Sequence, residues 1–203
     1  ITEPKQTEEA LRASEERWHL AVQGSNDGIW DWNIQAGEIF FSARWKAMRG
    51  FADHEVRNHI DEWRSRIHPD DLDRVLQSID LYLAKQTSAF CEEYRVQRKD
   101  SSYMWILDRG VALWAEDGTP VRMAGSETDI TDRKRTETIL RHRLEFERLI
   151  ASLSTHFINL SSDNIDSGIT QALRSLAEFS DVDRSYVFMF RDHGRTVDNT
   201  HEW

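Results

Sequence analysis

The sequence predicts an α+β chain: a five-stranded antiparallel sheet with helices on one side, flanked by an N-terminal helix and a long C-terminal linker helix. Three patterns point there. Residues 88 to 131 alternate apolar and polar side chains, the period of half-buried strands. Residues 29 to 41 alternate likewise in two shorter runs, and between these blocks the period changes to the three-and-four spacing of helices. Helices gathered between the second and third strands cover one side of a single sheet.

Composition bounds the reading. With 203 residues, the chain has room for one ordinary domain and an extension. A formal charge of -10 argues against a general nucleic-acid binder, which needs a basic face for phosphates. No apolar run approaches the ~20 residues that span a bilayer, so no membrane contact is expected. The one cysteine, Cys91, excludes an internal disulfide and a multi-thiolate metal site, and fits a reducing, cytoplasmic compartment. Starting at Ile1 without a methionine or a signal-like stretch, the chain reads as part of something longer.

Residues 1 to 25 read as an amphipathic helix in which Leu11, Trp18 and Val22 form a narrow stripe, suited to a coiled coil or to folding back on a sheet. Gly24-Ser25-Asn26-Asp27-Gly28 ends it. The first two strands join at Gln35-Ala36-Gly37-Glu38. Trp30, Trp32 and Ile34 share one face there, and Ile29, Asp31 and Asn33 the other. The tryptophans are read as packing against a helix, with direct ligand contact as the alternative.

From Ser42 to Lys85 the pattern is helical. Ala43 to Arg49 forms a short helix ended by Gly50, and Ile60, Trp63 and Ile67 mark a second. The third starts at Pro69, whose missing N–H costs nothing at the first position, while Asp70 and Asp71 meet the positive end of the helix dipole. Leu72, Val75, Leu76, Ile79 and Leu83 form its stripe. His68, Asp70 and Asp71 are explained by capping, so no metal site is expected.

Three long strands follow. Phe90, Glu92, Tyr94 and Val96 alternate with Cys91, Glu93, Arg95 and Gln97. Tyr103, Trp105, Leu107, Arg109, Val111 and Leu113 oppose Met104, Ile106, Asp108, Ala112 and Trp114. After the Asp117-Gly118 turn, the last strand runs from Val121 through Met123 to Ile130.

The series Gly28-Ile29-Trp30-Asp31-Trp32, Met48-Arg49-Gly50-Phe51, Ile67-His68-Pro69-Asp70-Asp71, Glu93-Tyr94-Arg95-Val96, Trp105-Ile106, and Gly125 leading to Asp129-Ile130-Thr131-Asp132-Arg133-Lys134 resembles a PAS domain with its PAC segment. The subtype is that with a Trp-x-Trp first strand and a His-Pro-Asp-Asp helix start. Specificity lies in the whole ordered series over residues 16 to 134, since each piece alone is weak. The resemblance implies the PAS fold over residues 26–131, and a sensory, dimerising module that does no chemistry itself. One departure is the turn Lys99-Asp100-Ser101-Ser102, where the family commonly has Asp-Gly.

Residues 132–160 read as a signalling linker helix, ~45 Å long at 1.5 Å per residue if it runs from Thr131 to Leu160. Ile139, His142, Phe146, Leu149, Leu153, His156 and Leu160 follow a 3-4 spacing, which predicts parallel pairing of two chains through Ile139, Phe146, Leu149 and Leu153. Packing of this stripe on the following segment is the alternative. Asp129 or Thr131 is expected to cap the strand-to-helix joint as the signal relay. Residues 161–203, with a second amphipathic helix and the strand Tyr186 to Phe190, resemble the opening third of a GAF domain, with exposed strand edges.

Candidate ligand contacts are Ile29, Asp31, Tyr94, Trp105, Arg109 and Met123, around a small pocket between sheet and helices, with a filled core as the alternative. A flavin-thiol photocycle is not expected, because Cys91 lies on a strand outside any Asn-Cys-Arg motif. Haem is not expected either, because residues 72 to 85 hold no histidine. Two functions remain. One is a ligand-responsive input module of a bacterial signalling protein, its output a cyclic-di-GMP enzyme first and a histidine kinase second. The other is a constitutive dimerisation spacer with no ligand.

Overall fold

The computed structural model describes residues 12, 13, 16, 17, 20, 24, 26–191 and 195–203. The expected N-terminal stripe of Leu11, Trp18 and Val22 lies outside them. The chain divides into two units, one ending at Lys134 and the other beginning at Arg135.

In the first unit, β1 (Gly28–Asn33), β2 (Glu38–Phe41), β3 (Phe90–Gln97), β4 (Tyr103–Trp114) and β5 (Pro120–Asp129) make one sheet in the order β2-β1-β5-β4-β3. Every neighbouring pair is antiparallel. The helices α1 (Ala43–Met48), α2 (Ile60–Arg64) and α3 (Pro69–Leu83) fall between β2 and β3, as the change of period predicts.

One row of residues crosses all five strands: Phe41, Trp30, Gly125, Gly110 and Phe90 are successive cross-strand partners. The two glycines explain how Trp30 fits. A Cβ at Gly125 would lie 2.5 Å from the Trp30 ring, and one at Gly110 would lie 2.7 Å from it. The indole therefore covers the bare backbone of β5 and β4, the close approach that a glycine inside a strand marks. Around it the core gathers Ile39, Phe41, Trp45, Val75, Tyr94, Val96, Met104, Ile106 and Met123, each under 5% exposed.

Local chemistry sets the ends. His68 caps α3, its Nδ1 accepting from the Asp70 N–H at 3.2 Å, with Pro69 in the first turn. Asp71 does more than meet the helix dipole: it accepts from the Arg95 N–H at 3.0 Å and from Arg95 Nε at 2.8 Å, tying α3 to β3. Burial pushes its carboxyl up, but the Arg95 hydrogen bonds outweigh this and hold it below the usual range. In the unusual turn between β3 and β4, Ser101 takes a left-handed φ of 67°. Asp100 supports it by accepting from the Ser102 N–H at 3.0 Å and hydroxyl at 2.6 Å, work that an Asp-Gly turn leaves to glycine.

The helix α4 (Thr131–Ile158) begins in the first unit. Beyond Arg135 it is accompanied by α5 (Ile165–Ser180) and a hairpin of β6 (Tyr186–Arg191) with β7 (Thr196–Glu202). Phe179 of α5 stacks on His142, ring centroids 4.6 Å apart, and sits 5.5 Å from Phe146, so α5 covers part of the expected pairing stripe. Phe188 and Phe190 remain 54% and 69% exposed on the hairpin.

The Trp30 row makes a test. Gly125→Ala, whose Cβ would also meet the Arg109 carbonyl oxygen at 2.1 Å, is expected to cost about 1–3 kcal/mol through overpacking, read as a lower urea midpoint. An unchanged midpoint would mean the sheet has slack there.

Candidate functional site

Alternation carries two acidic residues to the inner face of the sheet. Asp108 on β4 and Glu127 on β5 are direct cross-strand partners. Arg49, just past α1, joins them, and the three are 2%, 0% and 1% exposed. Arg49 donates from Nη2 to Glu127 and from Nη1 to the Trp45 carbonyl at 3.1 Å, with its guanidinium 3.6 Å from the Trp45 ring centroid. Asp108 accepts from Trp30 Nε1 at 2.8 Å and from the Tyr94 hydroxyl at 2.6 Å. The same hydroxyl accepts from Trp63 Nε1 at 2.7 Å.

Two carboxyls thus face one guanidinium in a water-poor interior. Burial, and next the charge of Glu127, pushes the Asp108 carboxyl well above the usual range. Burial, and next Asp108, pushes the Tyr94 phenol well up. Glu127 Oε1 has no hydrogen-bond partner. Beside this cluster lies a cavity of about 20 Å³ walled by Trp30, Trp32, Phe41, Trp63, Phe90 and Asp108 among others, room for about one water molecule. The buried Trp32 Nε1 also lacks a partner.

The second cluster lies where β5 becomes α4. Asp129 Oδ1 accepts from the Thr131 N–H at 2.9 Å, and its Oδ2 accepts from Arg98 at 3.2 Å. Thr131, buried, accepts on Oγ1 from the Trp105 N–H at 3.1 Å, while the Ile130 N–H donates to the Trp105 carbonyl at 2.9 Å. Glu93 of β3 takes Lys134 at 2.6 Å and also Arg133, whose hydrogen bonds hold its carboxyl below the usual range, Lys134 contributing most. Lys134 and Arg95 lie 5.2 and 5.6 Å from the Trp105 ring centroid. The first turn of α4 is thereby tied to β3, β4 and β5 together. Glu127 and Asp129 are two residues apart on β5, so one strand carries both the buried ion pair and the cap.

Of the six candidate ligand contacts, Tyr94 and Met123 lie in the core. Ile29, Asp31 and Arg109 instead border a shallow depression on the opposite face, with Phe40, Cys91, Val111, Ala124 and Ser126. Asp31 is held there by Arg122 Nε at 2.8 Å. Trp105 belongs to the joint. Strand alternation forbids a single pocket from collecting all six, because they combine both parities of the strands. The sequence reading passed over Arg49, Trp63, Glu93, Arg98 and Glu127. Glu127 carried a signal, sharing its parity with Met123. Asp129 and Thr131 sit together at the joint. Among the expected pairing residues, Ile139 is 68% exposed, Phe146 lies beside Phe179, and Leu149 and Leu153 are half-buried.

The buried ion pair is testable. Arg49→Met leaves Glu127 buried without its counter-charge, and is expected to cost about 3–5 kcal/mol of unfolding free energy. The double variant Arg49→Met/Glu127→Met is expected to recover most of it, measured by urea denaturation; equal losses in both would show that Arg49 matters through packing.

Comparison with known proteins fits this geometry. Residues 38–126 match the family model described as PAS fold. The crystal structure of a sensory box histidine kinase/response regulator from Burkholderia thailandensis matches with a TM-score of 0.59 at 42% sequence identity, over 65% of this chain and 98% of that one. Uncharacterized protein y4lL of Sinorhizobium fredii is 28% identical over 152 residues, 73% of this chain and 17% of its own length. Hybrid signal transduction histidine kinase A of Dictyostelium discoideum is 49% identical over 41 residues, 20% of this chain and 2% of its own length. The chain therefore spans less than a fifth of either curated relative. Covering nearly the whole of a solved sensory-protein chain at that identity, and matching the PAS fold family model over residues 38–126, this chain belongs to the PAS family.

Proposed function

We propose that this chain is the input module of a larger signalling protein, in which a change inside the PAS core moves β5 and resets the start of α4. The observation that carries this reading is the joint: the carboxylate that ends β5 is the cap of the output helix, and Glu93 and Trp105 hold the same turn from two other strands while Arg98 holds it from the turn between them. A small ligand is the favoured input. In the core it would meet aromatic walls, an unpaired indole N–H and the Asp108 carboxyl. It could act only by binding the two positions of β5 with different affinity. The output is a cyclic-di-GMP enzyme or a histidine kinase, the activity named for the Burkholderia and Dictyostelium relatives favouring the kinase. Residues 161–203 are read as the start of a GAF domain, and the protein as cytoplasmic.

A constitutive spacer is the second reading, favoured by a cavity no larger than one water. The two readings separate in the full-length protein. Asp129→Asn and Thr131→Val weaken the cap and the Trp105 tie, and are each expected to change output activity several-fold while the PAS domain stays folded. Unchanged output from both variants would leave the spacer reading standing.

Both readings use a homodimer through α4. Ile139, Phe146, Ile150 and Phe157 remain 68, 43, 42 and 39% exposed, Phe146 even beside Phe179 of α5, and with Arg143 and Leu153 they continue the 3-4 spacing. Ile139→Glu with Ile150→Glu is expected to turn a dimer into a monomer in sedimentation analysis. A persistent dimer would move the interface to another surface.

A further inference from the structure

We propose that Asp108 and Glu127 form a proton-binding site in the core that holds one proton between two carboxyls, and that losing this proton displaces β5 and the cap of α4. The second half rests on the relay reading above; the first does not.

The geometry is that of a shared site. Asp108 and Glu127 stand directly opposite on adjacent strands, both on the inner face and both shut off from water. Cross-strand partners have Cβ atoms about 5 Å apart, where like charges repel strongly in a low dielectric.

The charged groups facing the pair can be followed element by element. Arg49, after α1, is committed to Glu127. Lys46 of α1 turns to Asp53, 2.9 Å away. Glu92 of β3, the other cross-strand partner of Asp108, is a further carboxylate whose charge is met by Arg74 with Ser78 of α3, which commits Arg74 there. The hydrogen-bond donors that β1, α2 and Tyr94 of β3 bring to Asp108 are neutral: Trp30 Nε1, and the Tyr94 hydroxyl backed by Trp63 Nε1. Among the described residues, one guanidinium therefore answers two carboxyls, and a proton on Asp108 supplies the missing balance. Its hydrogen bonds come from neutral donors, whereas Glu127 has the arginine.

The site also has a direction. Burial and the neighbouring Glu127 raise Asp108 in the fold above its unfolded value. Its contribution to stability is thus complete in acid, below the unfolded value, and is lost as pH rises through the raised folded one. Deprotonation sets two like charges across the β4–β5 ladder, and β5 reaches Asp129 two residues later.

Infrared spectra in D₂O test the site on the intact chain. At neutral pH the wild type is expected to show the C=O band of a protonated carboxyl, absent from the isosteric Asp108→Asn variant and, in Glu127→Gln, titrating away at lower pH than in the wild type. No such band in the wild type, or the same band in Asp108→Asn, would overturn the proton site. The amide resonances of Trp105, Asp129 and Thr131 are expected to move with the wild-type band as pH rises. Amides that stay still while the band titrates would overturn the coupling to α4 and leave the proton site intact.

Discussion

Arg49 and Glu127 lie 78 residues apart in sequence and meet with almost none of their surface in water. Neither can be buried alone, since an unpaired charge in such an interior costs several kcal/mol, so the turn after α1 and the central strand β5 must arrive together. An ion pair of this kind adds little net stability over an apolar pair. What it adds is selectivity, because a slip of β5 by one residue would put Glu127 on the outer face and leave Arg49 without its partner. The Trp30 row reinforces that register from the apolar side, since only glycine at positions 110 and 125 leaves space for the indole.

The joint turns this register into leverage. Hydrogen bonds weaken steeply once their length and angle depart from the optimum, and three of those at the start of α4 belong to Asp129, Ile130 and Thr131, which join β5 to the helix with no other residue between. The helix therefore has no adjustable spacer between itself and the core. The flanking Glu93 clamp is solvent-facing and screened, which makes it a guide for the helix start more than a source of stability.

Much of the fold was legible. Period two at 29–41 and 88–131 and the helical period between them were read from apolar spacing alone, and Asp129 and Thr131 were identifiable because strand end, capping residue and helix start follow one another. The residues that line the core cluster were not legible in the same way. Asp31 and Arg109 look like ligand contacts in a one-dimensional reading, yet their parity sends them to the outer face. Arg49 sits at a helix end where its sequence neighbours suggest exposure, and nothing local announces a partner 78 residues away. For α4, spacing identifies an apolar stripe without saying what covers it, and Phe179 of the same chain covers part.

The strand order has a consequence for synthesis. Because β5 lies between β1 and β4, the first four strands cannot join into one sheet while the chain is still shorter than residue 129. On the ribosome, β1–β2 and β3–β4 can form only as separate hairpins with no shared core, and each waits for the same ten-residue segment, Pro120–Asp129, to emerge. Thr131 follows at once, so the helix acquires its cap only when the sheet is closed. Translation itself thus orders the assembly, and a nascent chain cannot present a properly capped α4 before its PAS sheet is complete.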